Sequence, residues 1–411
     1  MVKDEVLPKG WRRVKLGEVG SIHSGGTPST QDSSNWNGDI FWLTPSEVTK
    51  LSKKYVDSTE RQITRKALSH TTLLPENCLI VCTRATIGDC CINIVPMAIN
   101  QGFKCIQPHK HYSVTFLYYI FQILKSQLVR LSCGNTFGEV SRKDFASIQI
   151  SVPSLSEQRA IASLLETWDA AIEKTEALIA AKEKQFKWLL KTLIGDQQDN
   201  PEWRKMTLGD VGIFSKGSGI TKNELVDHGI PCICYGEIYI KHNFRIRNFY
   251  SFISDTNQAK RKLLKKNDLL FAGSGETRED IGKCASFDHN TKVYAGGDVI
   301  ICSIDPKKLR ADFASYYLNT IGRRQMNKLG QGNSIVHIYS RFLENLEIIL
   351  PPLPEQKRIV NLLDTAEKEI EILEQLAEQY RTQKRGLMQK LLTGAWRIKP
   401  SPYNPSSRCN P

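Results

Sequence analysis

The residues best suited to cofactor chemistry form a glycine-rich turn in the second half of the chain. Phe271-Ala-Gly273-Ser-Gly275 closes the apolar run Leu269–Phe271, and a turn of this kind after a strand can cradle S-adenosylmethionine. The chain has no Asn/Asp-Pro-Pro-Tyr/Phe segment to hold an adenine amino group, and the residues after the turn do not open a clean helix. The corresponding stretch earlier in the chain, Cys82-Thr-Arg84, lacks the glycines. We therefore predict that the turn is a loop of a binding domain.

Motifs for other chemistry are absent from the sequence. A phosphate-binding loop of the form Gly-x-x-x-x-Gly-Lys-Ser/Thr is missing, because Gly282-Lys283 is followed by Cys284. No Pro-Asp dipeptide opens a metal-dependent nuclease site, and no His-Glu-x-x-His occurs. The one close histidine pair, His109 and His111, is too isolated for a zinc site. The sequence therefore predicts neither a catalytic residue nor a metal ligand.

Lysines and arginines instead fill two stretches in which aromatic residues such as Tyr55 and Tyr239 are interleaved. Such cations neutralise phosphates, and Arg can also read base edges in the major groove. In the first stretch the candidate nucleic-acid-contacting residues are Lys53, Lys54, Arg61, Arg65, Lys66 and Arg84. In the second stretch they are Lys241, Arg245, Arg247, Lys260, Arg261, Lys262, Lys265, Lys266 and Arg278. Arg84 and Arg278 each stand three residues before an Ile-Gly pair, so a structural role in a turn stays open for both.

The net charge agrees with a polyanionic partner. The chain has 56 Lys and Arg against 43 Asp and Glu, a formal net charge of +13. Residues 1–152 carry 18 basic and 12 acidic groups, and residues 200–350 carry 22 and 16, whereas residues 153–199 are slightly acidic. We therefore expect two separate basic domains.

Composition places the chain among globular proteins. Its 411 residues, 40% hydrophobic and 24% charged, are enough for two or three domains with their own cores. No apolar run reaches the roughly 18 to 20 residues of a membrane span, and the opening residues do not read as a signal peptide. Eleven cysteines without regular spacing are typical of reduced thiols. The expected location is the cytoplasm.

The sequence contains a long internal repeat. Residues Trp11–Gly20 return as Trp203–Gly212, an offset of 192. From Tyr118-Tyr119, which matches Tyr316-Tyr317, the offset settles at 198. A repeat of this length indicates two similar structural units.

Each repeat is predicted to combine a strand-rich α+β domain with a long helix. Short β-branched or aromatic runs between Gly, Asn, Asp and Pro indicate strands, for example Cys78–Cys82 and Val299–Ile304. Phe116–Leu131 and Phe313–Leu329 are apolar at helical spacing. The predicted divisions are a basic domain at 1–152, a helix at 153–199, a second basic domain at 200–350, a second helix at 351–396 and a tail at 397–411.

The two helical segments carry a 3.5-residue apolar repeat. Steps of four and three select Ile161, Leu165, Trp168, Ile172, Thr175, Ile179, Lys182, Phe186, Leu189 and Leu193, and then Ile359, Leu363, Ala366, Ile370, Leu373, Ala377, Tyr380, Lys384, Leu387 and Leu391. This period over more than four heptads is typical of a coiled-coil seam, on which polar residues such as Lys182 and Lys384 fix the register. Two independent core helices are the alternative interpretation.

Chain connectivity limits how the helices can pair. About 38 helical residues span roughly 57 Å, so the second domain must begin far from the first. Only a short stretch, 195–202, joins the first helix to the second domain, so the second helix must run back antiparallel to pair with the first. The predicted fold is therefore α+β, with two repeated mixed domains and an antiparallel coiled coil related by a pseudo-twofold axis. Tandem halves of this symmetry suit inverted half-sites on duplex DNA.

These motifs resemble the specificity subunit of type I restriction-modification enzymes, over nearly the whole chain. The matching features are the opening Leu7-Pro-x-Gly-Trp11-x-x-x-x-Leu16-Gly17-Glu18 and its return at Trp203–Asp210. Pro153-Ser-Leu155-Ser-Glu157-Gln158 and Pro351-Pro352-Leu353-Pro354-Glu355-Gln356 then lead into the long helices. The first copy departs from the second by having Ser156 in place of Pro354.

The resemblance implies a non-catalytic subunit in which each basic domain is a target-recognition domain for one half of a bipartite, asymmetric DNA sequence. The helices would set the gap between the halves and dock two modification subunits. Those subunits would bind S-adenosylmethionine and methylate one adenine on each strand, and restriction subunits would use ATP and Mg²⁺. The chain itself is expected to bind no cofactor.

Three other classes of protein fit parts of the pattern. A coiled-coil scaffold would explain the helices but not the two basic domains. A solitary DNA methyltransferase would need the turn Phe271–Gly275 to bind S-adenosylmethionine. An RNA-binding protein would share the basic charge, and competition between duplex DNA and RNA would distinguish it.

Overall fold

The computed structural model describes residues 7–51, 53–133, 138–254, 261–277, 280–331 and 336–398. These residues form two compact units. Unit 1 contains the residues up to Glu176 together with those from Leu376 onward, and unit 2 is Ala177–Gln375. Within the described ranges no helix is both long enough and apolar enough to cross a membrane.

Unit 1 is a mixed α+β structure. Its strands are β1 (Arg12–Lys15), β2 (Gly20–Ser24), β3 (Trp36–Leu43), β4 (Tyr55–Val56), β5 (Gln62–Ile63), β6 (Leu73–Leu74), β7 (Leu79–Cys82), β8 (Cys90–Asn93), β9 (Met97–Ile99), β10 (Phe103–Pro108) and β11 (Gln149–Val152). Its helices are α1 (Leu16–Val19), α2 (Pro45–Lys50), α3 (Val114–Cys133), α4 (Arg142–Ser147), the first part of α5 (Leu155–Leu193) and the last part of α11 (Leu353–Leu391). The strands form a five-stranded sheet in the order β2-β10-β7-β8-β4, a four-stranded sheet β5-β3-β9-β6 and the pair β1-β11.

Unit 2 repeats this organisation. Its strands are β12 (Arg204–Thr207), β13 (Gly212–Lys216), β14 (Leu225–Val226), β15 (Ile230–Ile233), β16 (Ser251–Ile253), β17 (Lys262–Leu263), β18 (Asp268–Ala272), β19 (Ser274–Gly275), β20 (Cys284–Phe287), β21 (Tyr294–Ala295), β22 (Val299–Ile304), β23 (Val336–His337) and β24 (Glu347–Leu350). Its helices are α6 (Leu208–Val211), α7 (Tyr235–Ile240), α8 (Ala311–Thr320), α9 (Arg323–Leu329), α10 (Ser340–Glu344), the last part of α5 and the first part of α11 (Leu353–Leu391). The sheets are β13-β22-β18-β20 and β14-β16-β15-β21-β17, with the pairs β12-β24 and β19-β23.

The predicted repeat is confirmed by matching backbone geometry in the two units. The Ile-Gly turns place Gly88 and Gly282 at φ values of 90° and 69°, where a residue with a side chain is strained. Gly88 N donates to the carbonyl of Cys82 at 2.9 Å, and Gly282 N donates to the carbonyl of Ala272 at 3.0 Å. Each of these hydrogen bonds closes the loop that follows an inner strand of the sheet, β7 in unit 1 and β18 in unit 2.

In each unit, one of the hydrophobic clusters joins the sheet, a domain helix and a long helix. In unit 1, Ile161 and Leu165 of α5 pack in the cluster that contains Phe116 of α3. In unit 2, Ile359 and Leu363 of α11 pack in the cluster that contains Phe313 of α8. Each fully buried Leu or Ile side chain contributes about 1.5 to 3 kcal/mol, so the long helices are integral to the units.

The long helices pack against each other, as the heptad pattern predicts. In unit 1 the ring centroids of Trp168 and Tyr380 lie 5.7 Å apart, and the seam residue Lys384 contacts Asp169. In unit 2 the seam residue Lys182 lies 2.9 Å from Glu369. Early residues of one helix meet late residues of the other, so the pairing within unit 1 is antiparallel.

One predicted helix is divided in the structure. The segment predicted at 313–329 forms α8 and α9, and the break falls at Ile321 and Gly322. The N–H of Gly322 donates to the carbonyl of Tyr317, five residues earlier, which ends the regular helix. The apolar spacing continues across this break because Met326 of α9 packs in the same hydrophobic cluster as Phe313 of α8.

Candidate nucleic-acid interface

In unit 1 the candidate cations beside β4 contact the long helix α5. Lys54 Nζ lies 2.7 Å from Glu166 Oε1 and 3.9 Å from Asp169 Oδ2, and only 11% of its side chain is exposed. The exposed Lys53 lies 3.5 Å from Glu173 on the same helix. The charge of Lys54 is therefore neutralised inside unit 1.

The other four candidate cations of unit 1 face solvent. Arg61 stacks on Trp36, with its guanidinium carbon 3.7 Å from the ring centroid. Arg65 and Lys66 lie on a short 3-10 turn, 3.8 Å from Asp39 and 3.2 Å from Asp32 respectively. Arg84 is exposed in the turn that contains Gly88. Exposed ion pairs contribute little to stability, so these side chains can exchange a carboxylate partner for a phosphate.

In unit 2 the candidate cations beside α11 are neutralised in a similar way. Arg245 contacts Asp364 and lies 3.5 Å from Asp312, with 18% of its side chain exposed. Arg247 lies 2.5 Å from Glu367 of α11. Burial by itself lowers the pKa of Arg247, but the hydrogen bond to Glu367 and the nearby carboxylates raise it overall. Arg247 therefore stays charged, and both arginines hold their domain against α11.

The carboxylates that receive these cations occupy equivalent positions in the two repeats. Glu166 and Asp169 on α5 correspond to Asp364 and Glu367 on α11, at the offset of 198. The prediction of cation sites considered only basic residues and missed these partners. The sequence contained a signal for these partners, because acidic residues at positions i and i+3 lie on one face of each helix.

A buried tyrosine completes each acidic pair. Tyr119 of α3 donates to Asp169, and Tyr316 of α8 donates to Asp364 at 2.8 Å. Burial raises the pKa of both tyrosines, so their hydroxyls stay protonated as donors. These two residues are 197 apart, as are the first residues of α3 and α8, so the predicted offset of 198 for the tyrosine pairs is wrong by one.

The remaining candidate cations of unit 2 are mostly exposed. Arg261 is the exception, because it lies 3.1 Å from Glu224 and only 4% of its side chain is exposed. His242 is buried, which lowers its pKa to about 4, so it adds no positive charge near neutral pH. Among the described candidates of unit 2, the exposed cations are Lys241, Lys262, Lys265 and Lys266. The candidates Lys260 and Arg278 lie outside the described residues.

The Glu-Gln motif of the first repeat anchors α5 to its own domain. Gln158 is 1% exposed, and its Oε1 accepts from the backbone N–H of Ser113 at 2.9 Å. Its Nε2 donates to the carbonyl of His111 at 3.2 Å and to that of Pro153 at 3.0 Å. The side chain thus joins the start of α5 to the loop before α3.

The motif of the second repeat makes the same three contacts in unit 2. Gln356 accepts from the N–H of Arg310 at 3.0 Å. It donates to the carbonyls of Lys308 at 3.2 Å and Pro351 at 2.9 Å. The motif that marks the family in the sequence is therefore a structural joint between helix and domain.

The glycine-rich turn Phe271–Gly275 is packed against protein. A Cβ on Gly273 would lie 2.6 Å from the backbone oxygen of Asp298. Ser274 Oγ lies 3.1 Å from an Asp298 carboxylate oxygen and 2.9 Å from His337 Nδ1. The glycines therefore permit a close approach of the chain to itself. In the described part of the chain no group of three or more His, Cys, Asp or Glu side chains is placed to hold a metal ion.

A duplicated α+β domain joined to paired long helices defines the class of protein. The sequence matches the profile of the family described as "Type I restriction modification DNA specificity domain" twice, at residues 8–182 and 200–379. The type I restriction enzyme MjaIX specificity subunit of Methanocaldococcus jannaschii is 24% identical, over 96% of this chain and 95% of that protein. The EcoR124I/EcoR124II specificity subunit of Escherichia coli is 31% identical, over 42% of this chain and 45% of that protein.

Solved structures share the fold. The type I restriction-modification S subunit from M. genitalium aligns with a TM-score of 0.60 at 13% identity, covering 95% of this chain and 98% of that one. The HsdS subunit from Thermoanaerobacter tengcongensis aligns with a TM-score of 0.52 at 19% identity, covering 96% and 99%. Because the family profile covers most of the chain, the protein belongs to the type I restriction-modification DNA specificity family, as a specificity subunit.

Proposed function

We propose that this specificity subunit binds a bipartite, asymmetric duplex DNA sequence and reads one half with each recognition domain, residues 1–152 and 200–350. One observation carries the proposal: the two units share a framework but expose different cations. Gln158 and Gln356 make matching contacts in the two units. Among the described candidates, however, the exposed cations are three arginines and two lysines in unit 1 but four lysines in unit 2. Two domains that share a framework but differ in their exposed cations suit two half-sites of different sequence.

The proposal includes the long helices as the spacer between the half-sites. Both helices have 39 residues, which corresponds to roughly 58 Å, and each contributes to both units. Ion pairs such as Lys182 with Glu369 fix their register. Because the register is fixed, the length of the helices sets the distance between the two half-sites.

The helices also provide surface for partner subunits. Leu164 of α5 and Leu362 of α11 occupy equivalent positions and are 37% and 48% exposed. Trp188 of α5 is exposed as well. Tryptophan is enriched among the residues that dominate binding at protein interfaces. We infer that two modification subunits dock here and that restriction subunits complete the complex. These partners would hold S-adenosylmethionine, ATP and Mg²⁺, and this chain would be non-catalytic.

Exchange of one domain tests the proposal. Replacing residues 203–350 with the corresponding segment of another specificity subunit is expected to change one half-site and leave the other unchanged. The segment contains both strands of the pair β12-β24, so the exchange does not separate these paired strands. Methylation mapping of DNA from cells that co-express the chimera and its modification subunit measures both half-sites.

The matched control exchanges residues 11–152, which carry both strands of the pair β1-β11. This second chimera is expected to change the opposite half-site. A change of both half-sites in either chimera would show that the domains do not read DNA independently.

A further inference from the structure

An exposed cleft in unit 1 gathers the side-chain types that read base edges. It lies where β3 meets β5, and it is lined by Trp36, Asn37, Thr59, Glu60, Arg61 and Gln62. Asn37, Arg61 and Gln62 are all exposed. Arg recognises guanine and Asn or Gln recognises adenine through paired hydrogen bonds in the major groove.

The guanidinium of Arg61 rests on a fixed aromatic platform. It lies 3.7 Å from the ring centroid of Trp36 and 5.4 Å from that of Trp42. The two indoles pack edge to face at 5.2 Å. Each indole N–H is held by a backbone carbonyl, that of Ser29 for Trp36 at 3.0 Å and that of Gly26 for Trp42 at 3.1 Å. Stacking restricts the rotamers of Arg61, so less entropy is lost when its fork binds a ligand.

The donors of Arg61 are not used within the described part of unit 1. No carboxylate of the described residues lies within ion-pair distance of its guanidinium, and Glu60 beside it lies 3.5 Å from Lys50 instead. Arg245, Arg247 and Arg261 of unit 2, by contrast, each pair with a carboxylate. A stacked arginine with free donors is arranged for an external acceptor.

The backbone beside Arg61 is shaped to present Asn37. Trp36 and Ile40 of β3 both pair with Ile63 of β5, so the intervening residues form a bulge. Asn37 adopts a φ of 59°, a left-handed conformation that costs energy for a residue with a side chain. Gly38 passes so close to β5 that a Cβ there would lie 2.4 Å from the carbonyl oxygen of Ile63. Bulges re-aim side chains at functional sites.

We propose that Arg61 is a specificity-determining residue of the first recognition domain, which reads a guanine in its half-site, with Asn37 and Gln62 contacting neighbouring base edges. The inference rests on the proposed function and names the residues that carry it out in this domain. In this arrangement two N–H groups on the edge of the Arg61 guanidinium donate to O6 and N7 of the guanine, while the indole of Trp36 stacks on one face of the guanidinium.

A change of base preference distinguishes a residue that reads a base from a residue that only supports the structure. We would purify the complex of this chain with its modification subunits and measure methylation of a set of duplexes in which each base pair of the target is changed in turn. For Arg61→Lys, which keeps the charge, methylation of the native target is expected to fall about 10- to 100-fold, and discrimination at one G·C position of one half-site is expected to relax. The other half-site keeps its selectivity.

Controls separate the possible outcomes. Arg130→Lys, at an exposed arginine of α3 in the same domain that is not a candidate DNA contact, is expected to leave every base preference unchanged. A uniform loss for Arg61→Lys, without a change of preference at any position, would overturn the proposal and assign Arg61 to a phosphate contact or a structural role. Arg61→Gln adds a second variant, which should also lose discrimination at that same position. If the unaltered complex showed no bipartite preference, the proposed function itself would fail, and that result is distinct from either outcome for Arg61.

Discussion

Replacing Asp364 with asparagine is expected to lower the free energy of unfolding of unit 2 by about 3 kcal/mol. The Asp364 carboxylate contacts Arg245, accepts from the hydroxyl of Tyr316 at 2.8 Å and lies 3.9 Å from Arg247. Because most of the Arg245 side chain is buried, its charge would remain poorly solvated after the carboxylate is lost. Denaturant unfolding gives the free energy, and hydrogen exchange with mass spectrometry localises the loss to unit 2.

Glu374→Gln provides the matched control on the same helix. Glu374 is exposed and forms no ion pair with the described residues, so its replacement is expected to cost less than about 0.5 kcal/mol. Equal losses for Asp364→Asn and Glu374→Gln would contradict the role assigned to the acidic pair.

Replacing Gln158 with alanine is expected to destabilise unit 1 by about 3 kcal/mol. The change leaves the N–H of Ser113 and the carbonyls of His111 and Pro153 without this partner in a buried site. It also leaves a cavity at the start of α5. Gln356→Ala is expected to have an effect of the same size on unit 2, because its contacts are the same.

Gln389→Ala is the control for both glutamine variants. Gln389 is exposed on α11, and alanine suits a helix, so a change within about 0.5 kcal/mol is expected. Thermal unfolding of all three variants compares them directly. If Gln158→Ala were as stable as Gln389→Ala, the motif would not be the joint between helix and domain.

The sequence predicted the features that depend on periodicity and repetition. The α+β class, the duplicated domain and the pairing of α5 with α11 follow from patterns that many residues share. The seam residues Lys182 and Lys384 could be placed because a heptad position fixes the side of the helix. Errors appeared where one residue decides the outcome, as at the helix break beside Gly322.

The contact of each cation could not be predicted from composition. Lys54 and Lys53 are adjacent in the sequence, yet one is largely buried against α5 and the other is exposed. Arg245, 119 residues from Asp364, finds its partner only through the tertiary fold. Likewise, Trp36 lies on β3 and stacks on Arg61 only because β3 pairs with β5. Charge density locates a basic domain, whereas the fold decides which charges remain available.

The most direct test of DNA recognition is single-molecule methylation mapping of DNA from cells that co-express this chain and its modification subunit, compared with cells that lack only this chain. We expect a bipartite motif with one methylated adenine on each strand, present only when this chain is present. A methylation pattern that is identical in the two kinds of cell, with the chain expressed and bound to its partner, would contradict it.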